Sequence, residues 1–172
     1  MAIDVYPSIR DRRKGWLVMG AVHYPCALGS GGPVIAKREG DGGTPIAPLP
    51  LIGGHYRVDR IRRLRSGIAL TPIRPNDGWC DDPSDGRYNR PVRLPIAAGH
   101  ETMCRADHLY DVVIILDWNI SRRCRGRGSA IFFHLAHDDF RPTAGCIAVS
   151  ARAMELILPR LTPGTVLRVR GS

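Results

Sequence analysis

Short apolar runs separated by turn residues dominate the chain. Val112–Leu116 contains only branched apolar residues, which is typical of a strand buried on both faces. Trp16–Tyr24 is rich in aromatic and β-branched residues and predicts a strand or a pair of strands. The shorter runs Ile131–Phe133 and Ile147–Val149 predict two more strands, and Val166–Val169 predicts the last one.

One helical pattern follows near the end of the chain. Ser150 is a good N-cap residue, and apolar residues recur after it at helical spacing, at Met154, Ile157, Leu158 and Leu161. We therefore predict one helix over Ala151–Leu161, and a mostly-β fold around it. A chain of 172 residues is long enough to bury one hydrophobic core, so we expect a single domain over residues 1–172.

Two segments rich in glycine or proline interrupt this pattern. Cys26–Pro33 has the glycines of a turn and predicts a hairpin connection, and it lacks the Lys-Ser/Thr ending of a phosphate-binding loop. Pro72–Pro95 is a long stretch rich in Pro, Asp and Gly. Because it contains Trp79 and Tyr88, we interpret it as an ordered loop that forms a lid or the wall of a substrate groove.

The net charge of +9 comes almost entirely from arginine and suggests an anionic partner. Nucleic acid and an anionic cell-wall polymer both fit this charge. The densest basic stretch, His55–Arg65, predicts a strand with Tyr56 and Val58 facing the core and five arginines on a solvated or substrate-binding face. It lacks interleaved aromatic residues for base stacking, so we do not expect nucleic acid.

Cysteine count and hydropathy bound the remaining possibilities. Five cysteines permit up to two disulfides and one free thiol, or no disulfide at all. No apolar run approaches the length of a membrane span. Met1–Lys14 is polar and carries several arginines, so it does not have the pattern of a signal peptide.

The stretch Ile131–Ser150 carries the candidate chemistry. His134 ends one apolar run, and Cys146 precedes the next. A thiolate is a strong nucleophile, and a nearby imidazole either lowers the pKa of the thiol or accepts its proton. Gly145 lets the backbone approach closely, so that consecutive N–H groups can face a developing oxyanion. This arrangement predicts cysteine-dependent acyl transfer.

Three simpler interpretations compete with catalysis. A cysteine in an apolar run is often a small buried hydrophobe, and a single histidine is often structural. His134, His137 and Cys146 are also zinc ligand types, but a closed site needs a fourth ligand. Asp138 and Asp139 are weak candidates for that fourth position, so we expect no metal.

The same stretch resembles the catalytic segment of the L,D-transpeptidases (YkuD-type domains). That family has a histidine at a strand end, a loop, and then Ser/Thr-His-Gly-Cys followed by an apolar residue and often arginine. The matching residues are His134, Thr143, Gly145 and Cys146. Ala144 and Ala148 stand where the family usually has His and Arg. The whole chain resembles a compact branch of the family with this Thr-Ala-Gly-Cys form.

The resemblance implies a fold and an activity. The fold would be a β-sandwich or open barrel with one helix just after the nucleophile. The activity would be a peptidoglycan L,D-transpeptidase without cofactor, forming 3-3 or 1-3 (L-Ala to diaminopimelate) links between stem peptides. The enzyme would be a monomer of the periplasm or cell envelope. An L,D-carboxypeptidase, or a non-catalytic basic module that binds an anionic polymer, is the alternative.

The resemblance also implies a role for each site residue. Cys146 would be the nucleophile and His134 the general base and acid. The backbone N–H groups of Ala144 and Gly145, with that of Cys146, would hold the oxyanion. Substrate contacts would come from Thr143, Arg141, His137, Tyr110, Trp79 and Tyr88, with Arg141 holding a carboxylate and the aromatic residues of the 79–88 loop offering faces to sugar.

Overall fold

This computed structural model describes residues 1–171 of the chain. These residues contain fourteen strands and one α-helix, joined by turns and loops. The strands are β1 (Ala2–Pro7), β2 (Lys14–Met19), β3 (Val22–Ala27), β4 (Pro33–Val34), β5 (Thr44–Pro45), β6 (Pro48–Tyr56), β7 (Thr71–Pro72), β8 (Asp77–Cys80), β9 (Arg90–Arg93), β10 (His100–Thr102), β11 (Val112–Leu116), β12 (Phe132–Leu135), β13 (Ile147–Val149) and β14 (Val166–Val169). Helix α1 (Ala151–Ile157) follows β13, and a 3-10 turn (Leu158–Arg160) follows the helix. The prediction of a mostly-β domain with one helix after the candidate nucleophile is confirmed.

Eight strands close into a barrel. Their order is β11-β12-β13-β3-β2-β1-β14-β6, and β6 pairs again with β11, while β7 extends one end of β6. Of the two expected forms, sandwich and open barrel, the barrel is the one observed, and it is closed rather than open. Gly54 on β6 lets this strand approach β11 closely, because a Cβ built at Gly54 would lie 2.8 Å from the carbonyl oxygen of Val113 on β11.

The barrel interior is the main hydrophobic core. Alternate residues of each strand point inward, and the inward set includes Ile3, Val5, Leu17, Leu49, Ile114, Phe133, Ile147 and Leu167. Helix α1 adds Met154 and Ile157 to this core. The Ser150 hydroxyl caps the N-terminus of this helix by accepting the Ala153 N–H at 3.2 Å. Helix α1 stops at Ile157, before the predicted Leu161, because Pro159 has no N–H to continue it. No helix among residues 1–171 is both long and apolar enough to cross a membrane.

A three-stranded antiparallel sheet, β9-β8-β10, covers the outer face of β11 and β12. The Trp79 ring lies edge-on to Phe132 at 5.2 Å between centroids. Pro72–Pro95, expected as a loop or lid, contains two strands of this sheet. Strand β8 has only 4 residues and lies among turn residues, so it is not recognisable as a strand in the sequence. The segment is therefore a fixed wall.

The hairpin predicted at Cys26–Pro33 is wrong. Cys26 and Ala27 belong to β3, which pairs with β2 and β13, and the chain then runs along a distant segment. The N–H of Ser30 donates to the carbonyl of Thr143 at 2.9 Å. A Cβ built at Gly29 would lie 2.9 Å from the Cα of Gly145. The expected turn is present, because the N–H of Gly32 donates to the carbonyl of Gly29 at 2.8 Å, but it does not connect two paired strands, and Gly29 serves close backbone packing.

The strand predicted over His55–Arg65 is also shorter than expected, because β6 ends at Tyr56 and Val58 is exposed. Contacts of two arginines with distant residues, rather than strand pairing, hold this segment. Arg57 is buried and donates to the carbonyl of Arg105 at 2.6 Å, and Arg60 forms an ion pair with Asp111 at 2.8 Å. Two of the five arginines thus tie this segment to the chain just before β11 and are not available to a polymer.

Candidate active site

Strand pairing places His134 and Cys146 on one face. Strands β12 and β13 are parallel neighbours, with His134 opposite Ala148, and Cys146 lies two positions before Ala148. Because side chains alternate along a strand, His134 and Cys146 both point away from the barrel core. The spacings of strands and residues put their Cα atoms about 8 Å apart. Both side chains line a cleft of about 470 Å³.

Cys146 is a buried, uncharged thiol in this structure. The side chain accepts the N–H of Phe132 at 3.3 Å, and the thiol donates to the carbonyl of Ala130 at 3.2 Å. Burial raises the pKa of Cys146 to about 12. All five cysteines of the chain are free, so no disulfide withdraws Cys146 from chemistry.

His134 is a buried, uncharged imidazole. Its Nδ1 lies 2.8 Å from the carbonyl oxygen of Leu135, and a carbonyl only accepts, so Nδ1 carries the ring proton. The lone pair is therefore on Nε2. Burial lowers the pKa of His134 to about 4. The Tyr110 ring packs edge-on against the imidazole at 5.2 Å between centroids and holds its orientation.

These two groups rest as a neutral pair. Among the hydrogen bonds of residues 1–171, none joins Cys146 to His134, since the thiol proton points to Ala130. Burial opposes both charges of a thiolate–imidazolium pair. The geometry therefore fits a base that accepts the thiol proton during attack, after rotation of the cysteine side chain, rather than a preformed thiolate.

Thr143 and Gly145 shape the turn before Cys146. The Thr143 hydroxyl donates to the carbonyl of Cys146 at 2.8 Å and accepts the N–H of Gly145 at 3.1 Å. Gly145 has φ +136°, and a Cβ there would lie 2.9 Å from the carbonyl oxygen of Gly43. Thr143 lines the cleft and its hydroxyl is engaged within the protein, where it shapes the turn before Cys146, so its expected substrate contact stays a prediction.

The Gly145 N–H is not available as an oxyanion donor, because it already donates to Thr143. This corrects one member of the expected oxyanion hole. Among the hydrogen bonds of the described chain, the N–H groups of Ala144 and Cys146 donate to no protein acceptor. They are the two backbone donors that remain for an oxyanion next to the sulfur.

An ion pair between a buried lysine and a more exposed aspartate supports this turn from below. Lys37 is 4% exposed and pairs with Asp41. Asp41 also accepts the N–H of Gly43 at 2.8 Å, and Gly43 is the residue packed against Gly145. This role of Lys37 was not predicted from the sequence. Its only local signal is the four-residue spacing to an aspartate that precedes two glycines.

Charged side chains form the walls of the cleft. Four carboxylates line it, from Glu39, Asp41, Asp81 and Glu101. The guanidinium of Arg105 stacks over Tyr110 at 5.0 Å and lies 3.5 Å from Glu101. Burial raises the pKa of Glu101. Tyr110 was expected at the mouth of the pocket and does line it, whereas Glu101 and Arg105 were not anticipated.

His137 and Arg141 lie together at the rim of the cleft. The Arg141 guanidinium donates to Nδ1 of His137 at 3.0 Å. Burial and, after it, the neighbouring guanidinium lower the pKa of His137. Both side chains remain accessible from the cleft, so their expected substrate contacts remain predictions.

Trp79 and Tyr88 lie outside the cleft surface, which corrects their expected contact with sugar. Trp79 is 3% exposed and donates from Nε1 to Asn89 at 2.9 Å. Tyr88 is 1% exposed, and its hydroxyl bonds to the carboxylate of Glu39. Both aromatic rings are core residues that fix the three-stranded sheet and one cleft carboxylate. Among residues 1–171, no three His, Cys, Asp or Glu side chains converge in a way that could hold a metal ion.

Comparison with known proteins decides the family. The model of the YkuD family, the L,D-transpeptidase catalytic domain, matches residues 8–169. The chain belongs to this family. The resemblance seen in the sequence is therefore confirmed at the level of the family.

One solved structure similar to this YkuD domain is L,D-transpeptidase 1 of Mycobacterium tuberculosis. The similarity has a TM-score of 0.42 at 14% identity, and it covers 98% of this chain. This chain spans 59% of the length of that protein. No curated protein matches the sequence.

The two hydrogen bonds of the Thr143 hydroxyl yield a first prediction. Thr143→Val removes both bonds and leaves the Gly145 N–H without its acceptor, so it should lower the free energy of unfolding by about 1–3 kcal/mol. Thr143→Ser keeps the hydroxyl and should stay within about 0.5 kcal/mol of the wild type. Urea denaturation measures both. Equal stability of Thr143→Val and the wild type would contradict the role assigned to this turn.

A second prediction concerns the charge state of Cys146. Because its pKa is raised to about 12, the thiolate fraction should rise about tenfold per pH unit. The rate of iodoacetamide alkylation at Cys146, followed by peptide mass spectrometry between pH 6 and 9, should therefore rise without a plateau. Exposed Cys124 serves as the internal reference. A plateau near neutral pH would indicate a preformed thiolate–imidazolium pair instead.

Proposed function

We propose that this YkuD domain is a peptidoglycan L,D-transpeptidase that acts through an acyl-enzyme on Cys146. The observation that carries the proposal is the placement of one thiol and one imidazole on the same outward face of parallel strands, at the base of a single cleft. Acyl transfer needs a nucleophile, a base with a free lone pair and donors for the oxyanion. Cys146, Nε2 of His134 and two backbone N–H groups without a protein acceptor can supply these parts.

In the first half-reaction the enzyme is acylated. The thiol proton passes to Nε2 of His134 while sulfur attacks an amide carbonyl of the donor stem peptide. The carbonyl oxygen becomes an oxyanion, held by the N–H groups of Ala144 and Cys146. When the tetrahedral intermediate collapses, the carbon–nitrogen bond breaks and the imidazolium returns its proton to the leaving amine. The product is a thioester on Cys146.

In the second half-reaction an acceptor amine attacks the thioester. His134 takes a proton from the attacking nitrogen, the carbon–sulfur bond breaks, and the imidazolium reprotonates the departing sulfur. A new amide links the two stem peptides, and the enzyme returns to its neutral pair. Water in place of the amine gives the carboxypeptidase reaction, so the competition between amine and water decides which product forms.

Donor recognition must use residues other than the one at position 148. Ala148 is 1% exposed and packs with Ala27, Ala136 and Phe140, so the outward face carries no guanidinium there. Arg141 is the accessible guanidinium next to the nucleophile turn and is our candidate for holding a stem-peptide carboxylate. We propose 3-3 or 1-3 cross-links as products, formed by a monomer in the periplasm or cell envelope.

A third prediction separates the two histidines of this segment. His134→Ala removes the proposed base and should lower the rate of dimer formation on peptidoglycan sacculi by about 10²–10⁴-fold. His137→Ala is the matched control at the cleft rim and should lower it by less than about tenfold. Chromatography and mass spectrometry of the muropeptides measure both rates. The reverse ranking would exchange the roles of the two residues.

The muropeptide profile of the wild type also tests the proposed reaction itself. New cross-linked dimers support transpeptidation, and their fragmentation distinguishes 3-3 from 1-3 links. Shortened monomers without dimers would make the enzyme a carboxypeptidase. Unchanged muropeptides, together with salt-sensitive binding to an anionic polymer, would contradict catalysis and favour the basic module.

A further inference from the structure

Three flat side chains form a row on the outside of the barrel. Tyr6 on β1, Trp16 on β2 and Pro25 on β3 are direct cross-strand neighbours. Tyr6 is 46% exposed and Trp16 is 48% exposed. We call these three residues the aromatic row. Large exposed aromatic side chains that stand side by side indicate a binding surface more often than scattered apolar residues do.

Alternation keeps the aromatic row on the outside of the barrel. The residues next to it in sequence, such as Val5, Leu17 and Tyr24, point into the barrel core. The three side chains therefore cannot turn inward without reversing the register of three strands. The fold leaves about half of the surface of Tyr6 and of Trp16 open to solvent, so their exposure is a built feature of the barrel surface.

The aromatic row lies on the same outer face of the sheet as Cys146, on the far side of Phe140, which packs over Ala27 and Ala148. Strands β13 and β3 are antiparallel, and Ala148 is opposite Ala27. Continuing this register by two residues brings Ser150 beside Pro25. On the other side of β13, Ala136 donates its N–H to Val149 at 2.7 Å and lines the cleft. The outward positions of β13, β3, β2 and β1 thus place the cleft and the aromatic row on one face of the barrel, with Phe140 between them.

The chemistry of the aromatic row fits a saccharide. A pyranose ring has an apolar C–H face that packs on an aromatic or proline ring, and hydroxyl groups at its edge. Lys14 and His23 are exposed, and each lies at a neighbouring position of the same outward face, within reach of such hydroxyls. The row is narrow and lies flat on a sheet, which suits a sugar chain better than a membrane or a protein partner.

We propose that the aromatic row binds the glycan strand whose stem peptide occupies the cleft. The proposal rests on the proposed function and adds a site for the sugar part of the substrate. Trp16 lies two strands from β13, at the level of Ser150, which is two alternate positions beyond Cys146. These offsets put the Cα atoms of Trp16 and Cys146 about 16 Å apart along the surface. An extended peptide of about four or five residues spans that distance. A glycan on the row can therefore present its stem peptide to Cys146.

Direct sugar binding is the first test. The wild type should bind the tetramer of β-1,4-linked N-acetylglucosamine, measured by titration calorimetry. Trp16→Ala should weaken binding by about 3- to 10-fold or more, while Trp16→Phe should keep most of it. Ile52→Ala removes a side chain of equal exposure, 48%, on β6 and should leave binding unchanged. Trp16→Ala should melt at the wild-type temperature, because its side chain is outside the core.

Two outcomes of this titration overturn the proposal. One is the absence of tetramer binding by the wild type, and the other is equal binding by Trp16→Ala. Sedimentation with phosphatidylglycerol vesicles completes the test. Vesicle binding that Trp16→Ala abolishes, without any sugar binding, would make the row a membrane contact instead.

Turnover on two substrates is the second test. Trp16→Ala should raise KM on sacculi by about 3- to 10-fold and leave kcat/KM on a glycan-free stem peptide unchanged. An equal loss on both substrates would overturn the glycan site. A wild type inactive on both substrates would contradict the proposed function, and sugar binding would still be measurable independently.

Discussion

The parallel pairing of β12 with β13 is the constraint on which the candidate site depends. It places Phe133 and Ile147 together in the barrel core and their neighbours His134 and Cys146 together on the outside. A slip of one residue in either strand would send this candidate catalytic pair to opposite faces. The closed barrel prevents such a slip, because both strands carry buried residues on their inner face and have paired neighbours on both sides.

Burial then sets the chemistry of this pair. Both side chains are almost without contact with water, so neither the thiolate nor the imidazolium is stabilised at rest. The same dry environment strengthens the backbone N–H groups that face a developing oxyanion. The support beneath the turn consists of buried Lys37, paired with Asp41, and glycines in close backbone contact. Cys146 and His134 thus carry no charge at rest, and in the proposed reaction the turn beside them stabilises the charge that forms.

Features encoded within a few residues were accessible from sequence, and features that depend on distant contacts were not. The apolar run of β11, the N-cap at Ser150 and the spacing of His134 and Cys146 are local, and all three were anticipated. The closure of β6 onto β11 depends on Gly54 meeting a strand about 60 residues away. Burial of Trp79, Tyr88 and Lys37 likewise comes from packing that no local pattern reports. The hydroxyl of Thr143 was recognised, but its two bonds within the turn became visible only in three dimensions.

The central claim is that Cys146 carries the acyl group, and intact-protein mass spectrometry tests it most directly. The wild type, incubated with a disaccharide tetrapeptide and rapidly quenched in acid, should gain the mass of the donor minus its leaving amino acid. Peptide mapping should locate the adduct on Cys146, and Cys146→Ala should gain no mass while remaining folded. An adduct on another residue, or turnover by Cys146→Ala at the wild-type rate, would contradict the account.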